Sequence, residues 1–311
     1  MTRLHPLLAA ALAFCLGAAA PAAARKPMMK PTRTLVYKTV KDAKLRLHVF
    51  EPEGHRAADR RPAIVFFFGG GWVGGTPAQF MPQCAYLASR GMVAISAEYR
   101  VRNRHGVTPY ACVRDGKSAV RWLRAHAAEL GIDPERLAAG GGSAGAHVAA
   151  CTGVVEGMEE EGEDAAVSSR PDALVLFNPP LVLDFDQWAR HGVPAGRVAD
   201  IRRRFEGGEP RSISPTHHVG PGEPPTLVLH GEADATVPIA TARAFAEAMR
   251  KQGNRCELAA YEGEGHGFFN LGRGEAFFLT LRRADRFLAS LGWLEGEDTV
   301  EAFRASLGRR P

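Results

Sequence analysis

Short apolar runs recur along the chain, and longer stretches with helical periodicity separate them. Runs of this kind, bounded by Gly and Pro, are typical of parallel strands that are buried on both faces. They cover residues 63–68, 92–99, 136–141, 173–179 and 225–231, and a last strand is predicted over 256–263. Residues 35–52 instead alternate polar and apolar positions around Lys41-Asp42, which predicts a β-hairpin with one exposed face.

The intervening segments carry the spacing of amphipathic helices, and most of them end at a glycine that can cap a helix. These helices are predicted over 78–91, 111–131, 144–155, 239–253 and 274–292. Alternation of buried strands with helices predicts an α/β fold: a mostly parallel, doubly wound sheet with helices on both faces. Ligands bind such sheets beyond the carboxyl ends of the strands, so candidate chemistry is sought there.

Residues 183–224 interrupt the alternation with a Pro-, Gly- and Arg-rich segment. One helix is predicted in it, over 198–205, and the segment as a whole is expected to be polar. A connection of this length between two strands suits a small lid beside a binding site, or a surface excursion. The pattern leaves both interpretations open.

The first 24 residues have the organisation of a secretory signal peptide. Arg3 precedes an apolar run from Leu7 to Ala20, and small residues precede Arg25. The run is shorter than the roughly 18 to 20 residues that span a bilayer. The sequence therefore predicts a secreted or periplasmic protein, with residues 25–311 forming one catalytic domain and no membrane span.

The charges are mixed rather than segregated, with 39 Lys and Arg against 34 Asp and Glu and a net charge of +5. The triplet Arg202-Arg203-Arg204 is interpreted as a solvated helix face, so no nucleic-acid partner is expected. The acidic run 156–165 is expected to be an exposed loop. The spacing of Cys84, Cys112, Cys151 and Cys256 does not indicate whether they are bridged.

One short segment carries a candidate nucleophile. Residues 140–150 read GGGSAGAHVAA, and Gly141 to Gly145 match the G-x-S-x-G pattern, in which a strand turns sharply into a helix and exposes a serine hydroxyl. Such a serine needs a neighbouring base to remove its proton. Ser143 is therefore the candidate nucleophile, provided that a histidine and an acid follow later strands in that architecture.

Two loops after later strands supply these partners. His266 lies between two glycines directly after the predicted strand 256–263. The other ten histidines lie in the leader, before the core of the sheet, within helices, at the end of a strand or in irregular segments. Asp234 follows the strand that ends at Gly231 and is the preferred acid, with Glu232 as its competitor. The order Ser, Asp, His is the one that this architecture requires.

A glycine-rich loop follows the first buried run, in the stretch FFFGGGWVGG at 66–75. Gly70 and Gly71, together with the amide of Ala144, are the candidate donors for a developing oxyanion. The loop lacks the G-K-[ST] ending of a phosphate-binding loop, so nucleotide binding is not expected. Trp72 is a tentative substrate-binding residue on the same loop.

These residues give the chain a family resemblance. From about residue 32 to 295 it resembles α/β-hydrolase-fold esterases, most closely bacterial secreted carboxylesterases of the feruloyl and acetyl-xylan esterase kind. The resemblance rests on the stretches 66–72, 97–100, 115–124, 141–145, 230–238 and 265–269. The chain is also distantly similar to hormone-sensitive-lipase-like esterases, but Phe68 stands where those relatives have a His before the glycines.

The resemblance implies an eight-stranded sheet and acyl-enzyme hydrolysis without a metal or cofactor. The expected substrates are small-molecule or carbohydrate esters with short acyl groups, such as acetylated or feruloylated sugars, because the insertion is expected to be polar. Two alternatives stay open: a prolyl-oligopeptidase-like serine peptidase, and a non-catalytic binding protein on the same fold.

Overall fold

Residues 29–308 are described by a computed structural model, which builds them around one eight-stranded sheet. The predicted signal peptide lies outside the described residues. The strands are β1 (Arg33–Val40), β2 (Ala43–Phe50), β3 (Arg61–Phe67), β4 (Val93–Ala97), β5 (Ile132–Gly142), β6 (Ala173–Phe177), β7 (Thr226–Gly231) and β8 (Cys256–Tyr261). The predicted fold class is confirmed, with every predicted strand present.

The strand order across the sheet is β1-β2-β4-β3-β5-β6-β7-β8. β2 runs antiparallel to its neighbours β1 and β4, and all other neighbouring pairs are parallel. The carboxyl ends of β3 to β8 therefore lie along one edge of the sheet. The loops that carry the candidate site residues leave the sheet at that edge.

Helices cover both faces of this sheet. They are α1 (Met81–Ser89), α2 (Arg102–His105), α3 (Pro109–Ala125), α4 (Ala127–Leu130), α5 (Ala144–Val154), α6 (Phe185–Arg190), α7 (Ala195–Arg203), α8 (Ile239–Lys251), α9 (Glu275–Ser290) and α10 (Val300–Gly308). Apolar residues of α3, α5 and α8 form a core on one face, and those of α1, α9 and α10 form a second core on the other.

The central strand β3 is apolar at every position after Arg61. Val65 and Phe67 belong to the first core, whereas Ile64 and Phe66 point to the second. Successive side chains of a strand project to opposite faces, so a strand covered on both sides needs apolar residues at every position.

The insertion differs from its prediction in two ways. It contains two helices, α6 and α7, where only one was predicted, and two short 3₁₀ turns follow them. Its inner face is apolar rather than polar, because its buried side chains join the first core. These side chains are Leu183, Phe185, Trp188, Val193, Val198, Ile201, Phe205 and Ile213. The segment is therefore packed firmly onto the body of the protein.

The acidic run forms a loop without helix or strand, as predicted, and its residues are exposed or half-buried, although ion pairs hold some of its side chains. Glu159 pairs with Lys117 at 3.0 Å and with Arg121 at 2.6 Å, and both cations are buried on α3. Glu160 pairs at 2.6 Å with Lys38 of β1. A buried cation needs a carboxylate partner, which ties this run to the sheet and to α3.

The four cysteines of the described range are unbridged; Cys84, Cys112 and Cys151 are buried, and Cys256 is half-buried. Between residues 29 and 308 no helix combines the length and the apolar character needed to cross a membrane. The same range holds no cluster of three or more side chains suited to a metal ion.

Candidate active site

Ser143 stands at the turn from β5 into α5, with a backbone φ of 53° and ψ of −120°. Non-glycine residues rarely adopt this conformation, and the strain persists only where the surroundings impose it. The need for glycine beside the serine is clearest at Gly145, because a Cβ on this residue would lie 2.1 Å from the carbonyl oxygen of Phe67. The helix can therefore approach β3 closely enough to lift the serine hydroxyl into the open.

The three sequence-predicted residues meet at this turn. His266 Nε2 lies 2.9 Å from Ser143 Oγ, and His266 Nδ1 lies 2.7 Å from Asp234 Oδ2. The side chain of Asp234 is fully buried, whereas 24% of the His266 side chain is exposed. Serine, imidazole and carboxylate thus form one continuous hydrogen-bonded chain, with the serine at the open end.

Asp234 is held as a carboxylate. Burial acts to raise its pKa, but hydrogen bonding to His230 and His266 and the backbone N–H of Val237 outweigh burial and hold the pKa well below its usual range. Oδ1 accepts from the N–H groups of Thr236 and Val237 at 2.8 and 2.9 Å. His230 Nε2 lies 3.4 Å from Oδ2. The carboxylate therefore stays charged and fixed beneath His266.

Glu232, the competing acid, does not reach the histidine. Its side chain is exposed and pairs with Arg243 at 3.0 Å. The structure thus brings together Ser143, His266 and Asp234 and leaves Glu232 on the surface.

The glycine loop presents free backbone donors to the same cleft. Gly70 and Gly71 have φ values of +133° and +62°, and a Cβ at Gly70 would lie 2.3 Å from the carbonyl oxygen of Gly74. Among the described residues, the N–H groups of Gly70, Gly71 and Ala144 have no hydrogen-bond partner, and all three residues line the cleft. Unpaired donors beside an activated hydroxyl are what an oxyanion hole requires.

Other contacts brace this loop where related esterases would have a histidine. Phe68 stacks on Tyr99 with ring centroids 4.3 Å apart, and the Tyr99 hydroxyl donates to the Phe68 carbonyl at 2.6 Å. Gly69 N–H donates to Gln79 Oε1 at 2.6 Å, and Gln79 in turn donates to Asn270 at 2.9 Å. An aromatic stack and an amide relay therefore fix the loop.

Trp72 borders the cleft, but only 3% of it is exposed. Its indole N–H donates to His147 Nδ1 at 3.3 Å, and its ring packs edge-on against Phe205 of the insertion. His147 Nε2 donates to the carbonyl of Ile213 at 2.7 Å. Trp72 thus joins the glycine loop to α5 and the insertion, and offers little surface to a substrate.

The cleft has a volume of about 700 Å³ and contains every residue of the predicted site except the buried Asp234. One side is formed by the glycine loop and the turn at Ser143, and another by α7 of the insertion. Apolar parts come from Pro180, Trp188, Ile201, Val237 and Phe269, and charged parts come from Arg102, Arg197, Asp200, Arg203 and Arg204.

Sequence reasoning missed three residues of this cleft. Asn178, at the end of β6, accepts the Gly267 N–H at 3.1 Å and so fixes the loop that carries His266. Arg204 donates to the carbonyl of Gly71 at 3.0 Å. Arg197 lines the cleft from the start of α7. Asn178 could have been found from its place at the end of an apolar run, but no sequence signal places the two arginines over the cleft.

This arrangement can carry out nucleophilic acyl transfer. A fold of this topology, with an exposed serine at a strand-to-helix turn, is that of an α/β-hydrolase-fold serine esterase. The family model BD-FAE matches residues 47–249, and the chain belongs to that family. The model for the dienelactone hydrolase family also matches residues 208–295.

Among proteins of known structure, the chain is similar to esterase 2 of Thermogutta terrifontis. The apo form of that protein is 52% identical, with a TM-score of 0.80, over 87% of this chain and 98% of the other. Esterase LipC of Mycobacterium tuberculosis is 32% identical over 67% of this chain and 53% of its own length. A probable isoprenylcysteine alpha-carbonyl methylesterase of Arabidopsis thaliana is 28% identical over 71% of this chain and 48% of its own length. The chain thus spans about half the length of these curated relatives.

Proposed function

We propose that this protein is a carboxylesterase that hydrolyses short-chain acyl esters through an acyl-enzyme. The observation that carries the proposal is the hydrogen-bonded chain from Ser143 through His266 to Asp234, beside the unpaired N–H groups of the glycine loop. Geometry of this kind activates a hydroxyl that is otherwise a poor nucleophile.

In the first half-reaction, Ser143 Oγ attacks the ester carbonyl while His266 Nε2 removes its proton. The carbonyl oxygen becomes an oxyanion that the N–H groups of Gly70, Gly71 and Ala144 stabilise. When the tetrahedral intermediate collapses, the bond to the alcohol oxygen breaks, and His266 donates its proton to the departing alcohol. Asp234 holds the imidazolium throughout.

Water then completes the cycle. His266 removes a proton from a water molecule, whose oxygen attacks the acyl carbonyl. The bond to Ser143 breaks, the serine recovers its proton from His266, and the carboxylic acid leaves. The ring of His266 is partly exposed to the cleft, which leaves room for water to approach from this side.

Two features favour a short acyl group. The Thermogutta terrifontis esterase has been solved with propionate and with butyrate bound, and in both structures it is 51% identical to this chain. The apolar lining of the present cleft is interrupted by the guanidinium groups of α7, and each CH₂ of a long tail gains about 0.8 kcal/mol only where apolar surface can cover it. Acetylated or feruloylated sugars are the proposed natural substrates. The curated relatives named above are esterases by name, which favours this proposal over a peptidase or a non-catalytic protein.

A series of p-nitrophenyl esters from acetyl to decanoyl tests the proposal. We expect kcat/KM to be highest between acetyl and butyryl and to fall steeply by octanoyl, because the arginines of the cleft leave a longer tail without continuous apolar cover. Ser143→Ala, assayed alongside, should lose nearly all activity while keeping the wild-type circular dichroism spectrum. An optimum at decanoyl would contradict the short-acyl assignment, and an active Ser143→Ala variant would contradict the mechanism.

A further inference from the structure

The charges along the cleft are strongly one-sided. Four arginines line it, and Asp200 is its one acidic lining residue among the residues that the structure describes. The four arginines are Arg102, Arg197, Arg203 and Arg204. A cleft lined by one sign of charge concentrates ligands of the opposite sign, so this cleft attracts anions.

Three of the four guanidinium groups already have partners. Arg203 and Arg204 share the carboxylate of Asp200, and Arg204 also holds the Gly71 carbonyl. Arg102 pairs with Glu206 at 3.2 Å. These contacts hold the three guanidinium groups in the wall of the cleft, where their donors are already used by protein atoms.

Arg197 is different. Its side chain is exposed, and within residues 29–308 its guanidinium has neither an ion pair nor a hydrogen bond. An unpaired guanidinium inside a substrate cleft keeps its planar set of donors available, and that set matches the two oxygens of a carboxylate.

The periodicity of α7 places this group relative to the reaction centre. Arg197, Ile201 and Arg204 follow i, i+4, i+7 spacing, so they share the face of the helix that lines the cleft. Arg204 contacts the glycine loop, and Arg197 lies two turns away, about 10 Å farther along the helix axis. An acyl group of two to four carbons occupies a small part of a 700 Å³ cleft, and the remainder, which α7 borders, is available to the alcohol portion of the ester.

We infer that the cleft selects esters whose alcohol portion carries a carboxylate, and that Arg197 binds this carboxylate. Acylated acidic sugars have this chemistry. The inference rests on the proposed esterase function and adds to it the class of alcohol.

A matched pair of substrates tests the inference: 4-acetoxybenzoate, whose alcohol portion is an anion, and 4-acetoxybenzamide, which is neutral and similar in shape. In the wild-type protein we expect a higher kcat/KM for the anion, and in Arg197→Gln a fall of about tenfold in the anion-to-amide ratio, the size of one charge-assisted hydrogen bond. Arg197→Lys should keep part of the preference. Addition of 0.5 M NaCl should reduce the wild-type ratio, because salt screens an exposed charge.

Arg202→Gln is the matched control. Arg202 lies on the same helix but pairs with Asp186 at 2.8 Å and does not line the cleft, so its removal changes net charge equally and should leave the ratio unchanged. A wild-type ratio at or below one, or an equal ratio in the wild type and Arg197→Gln, would overturn the inference. Hydrolysis of the ester bond of 4-acetoxybenzamide by the wild type tests the esterase proposal separately. This hydrolysis should be absent in Ser143→Ala.

Discussion

At the scale of single residues, burial separates two acidic side chains that lie two positions apart in the sequence. Asp234 is buried and bonded to His266, whereas Glu232 is exposed and paired with Arg243. We expect Asp234→Asn to lower kcat on p-nitrophenyl butyrate by about 10³- to 10⁴-fold, because the amide neither holds the correct tautomer of His266 nor stabilises its cation. Glu232→Gln should stay close to the wild type. A larger loss in Glu232→Gln than in Asp234→Asn would show that the acid is misassigned.

A second residue-scale prediction concerns His147, whose ring accepts from Trp72 and donates to Ile213. Burial lowers its pKa to about 4 from 6.5, even though the hydrogen bond to Ile213 acts in the opposite direction. As the pH falls from 6.5 to 4, His147 binds a proton in the unfolded chain but stays neutral in the folded protein. The free energy of unfolding should therefore fall over this window, by about 3 kcal/mol from this group.

Urea unfolding of the wild type and His147→Gln between pH 7 and pH 4 checks this expectation. The glutamine does not titrate, so the variant should show a weaker pH dependence even if it is less stable throughout. His191→Gln, at an exposed position after α6, should follow the wild type. Equal pH dependence in the wild type and His147→Gln would contradict the expected role of His147.

The residues that the sequence predicted best are those whose position along the chain decides their position in space. Ser143, Asp234 and His266 each follow a strand of a parallel sheet, and parallel strands deliver their following loops to one edge. Arg197 and Arg204 could not be placed this way, because their contacts depend on how α7 packs over the cleft. Whether Trp72 contacts a substrate stays a prediction, but its burial argues for a supporting role.

At the scale of elements, the insertion and the glycine loop are joined through Arg204. Its guanidinium donates to the Gly71 carbonyl at 3.0 Å, and so couples the position of α7 to a loop that presents two free N–H groups. We expect Arg204→Ala to lower kcat on p-nitrophenyl butyrate about tenfold. That is less than the 10²- to 10³-fold loss of a whole oxyanion donor, because the loop keeps its contacts to Tyr99 and Gln79.

Arg202→Ala, on the other face of α7, is the control for this experiment and should keep the wild-type kcat. If Arg204→Ala raised KM without changing kcat, the residue would contact the substrate and would not position the loop.

The insertion also shows where pattern-based prediction reaches its limit. Its apolar residues are spread between Pro, Gly and Arg, so no single stretch of the sequence predicts a helix with a buried apolar face. Trp188 on α6 and Val198 on α7 enter the same core only once the two helices pack together. The central strands of the sheet, by contrast, each contain a short apolar run, such as 63–68 and 173–177, and were predicted individually.

At the scale of the whole molecule, export is a proposal that the described residues do not test. The short apolar run and the alanines before Arg25 predict cleavage near Ala24. N-terminal sequencing of protein recovered from the periplasm or the medium should therefore begin near Arg25. Recovery of exported protein that still begins with Met1 would contradict the proposal.

Ser143 is expected to be the one nucleophilic serine of the chain, and an organophosphate can identify that serine chemically. The Thermogutta terrifontis esterase is described as phosphorylated by paraoxon. Intact mass spectrometry of this protein after paraoxon treatment should show one added phosphoryl group, and peptide mapping should place it on Ser143. Ser143→Ala should stay unlabelled. Stoichiometric labelling of Ser143→Ala, or of a different residue in the wild type, would show that Ser143 is not the nucleophile.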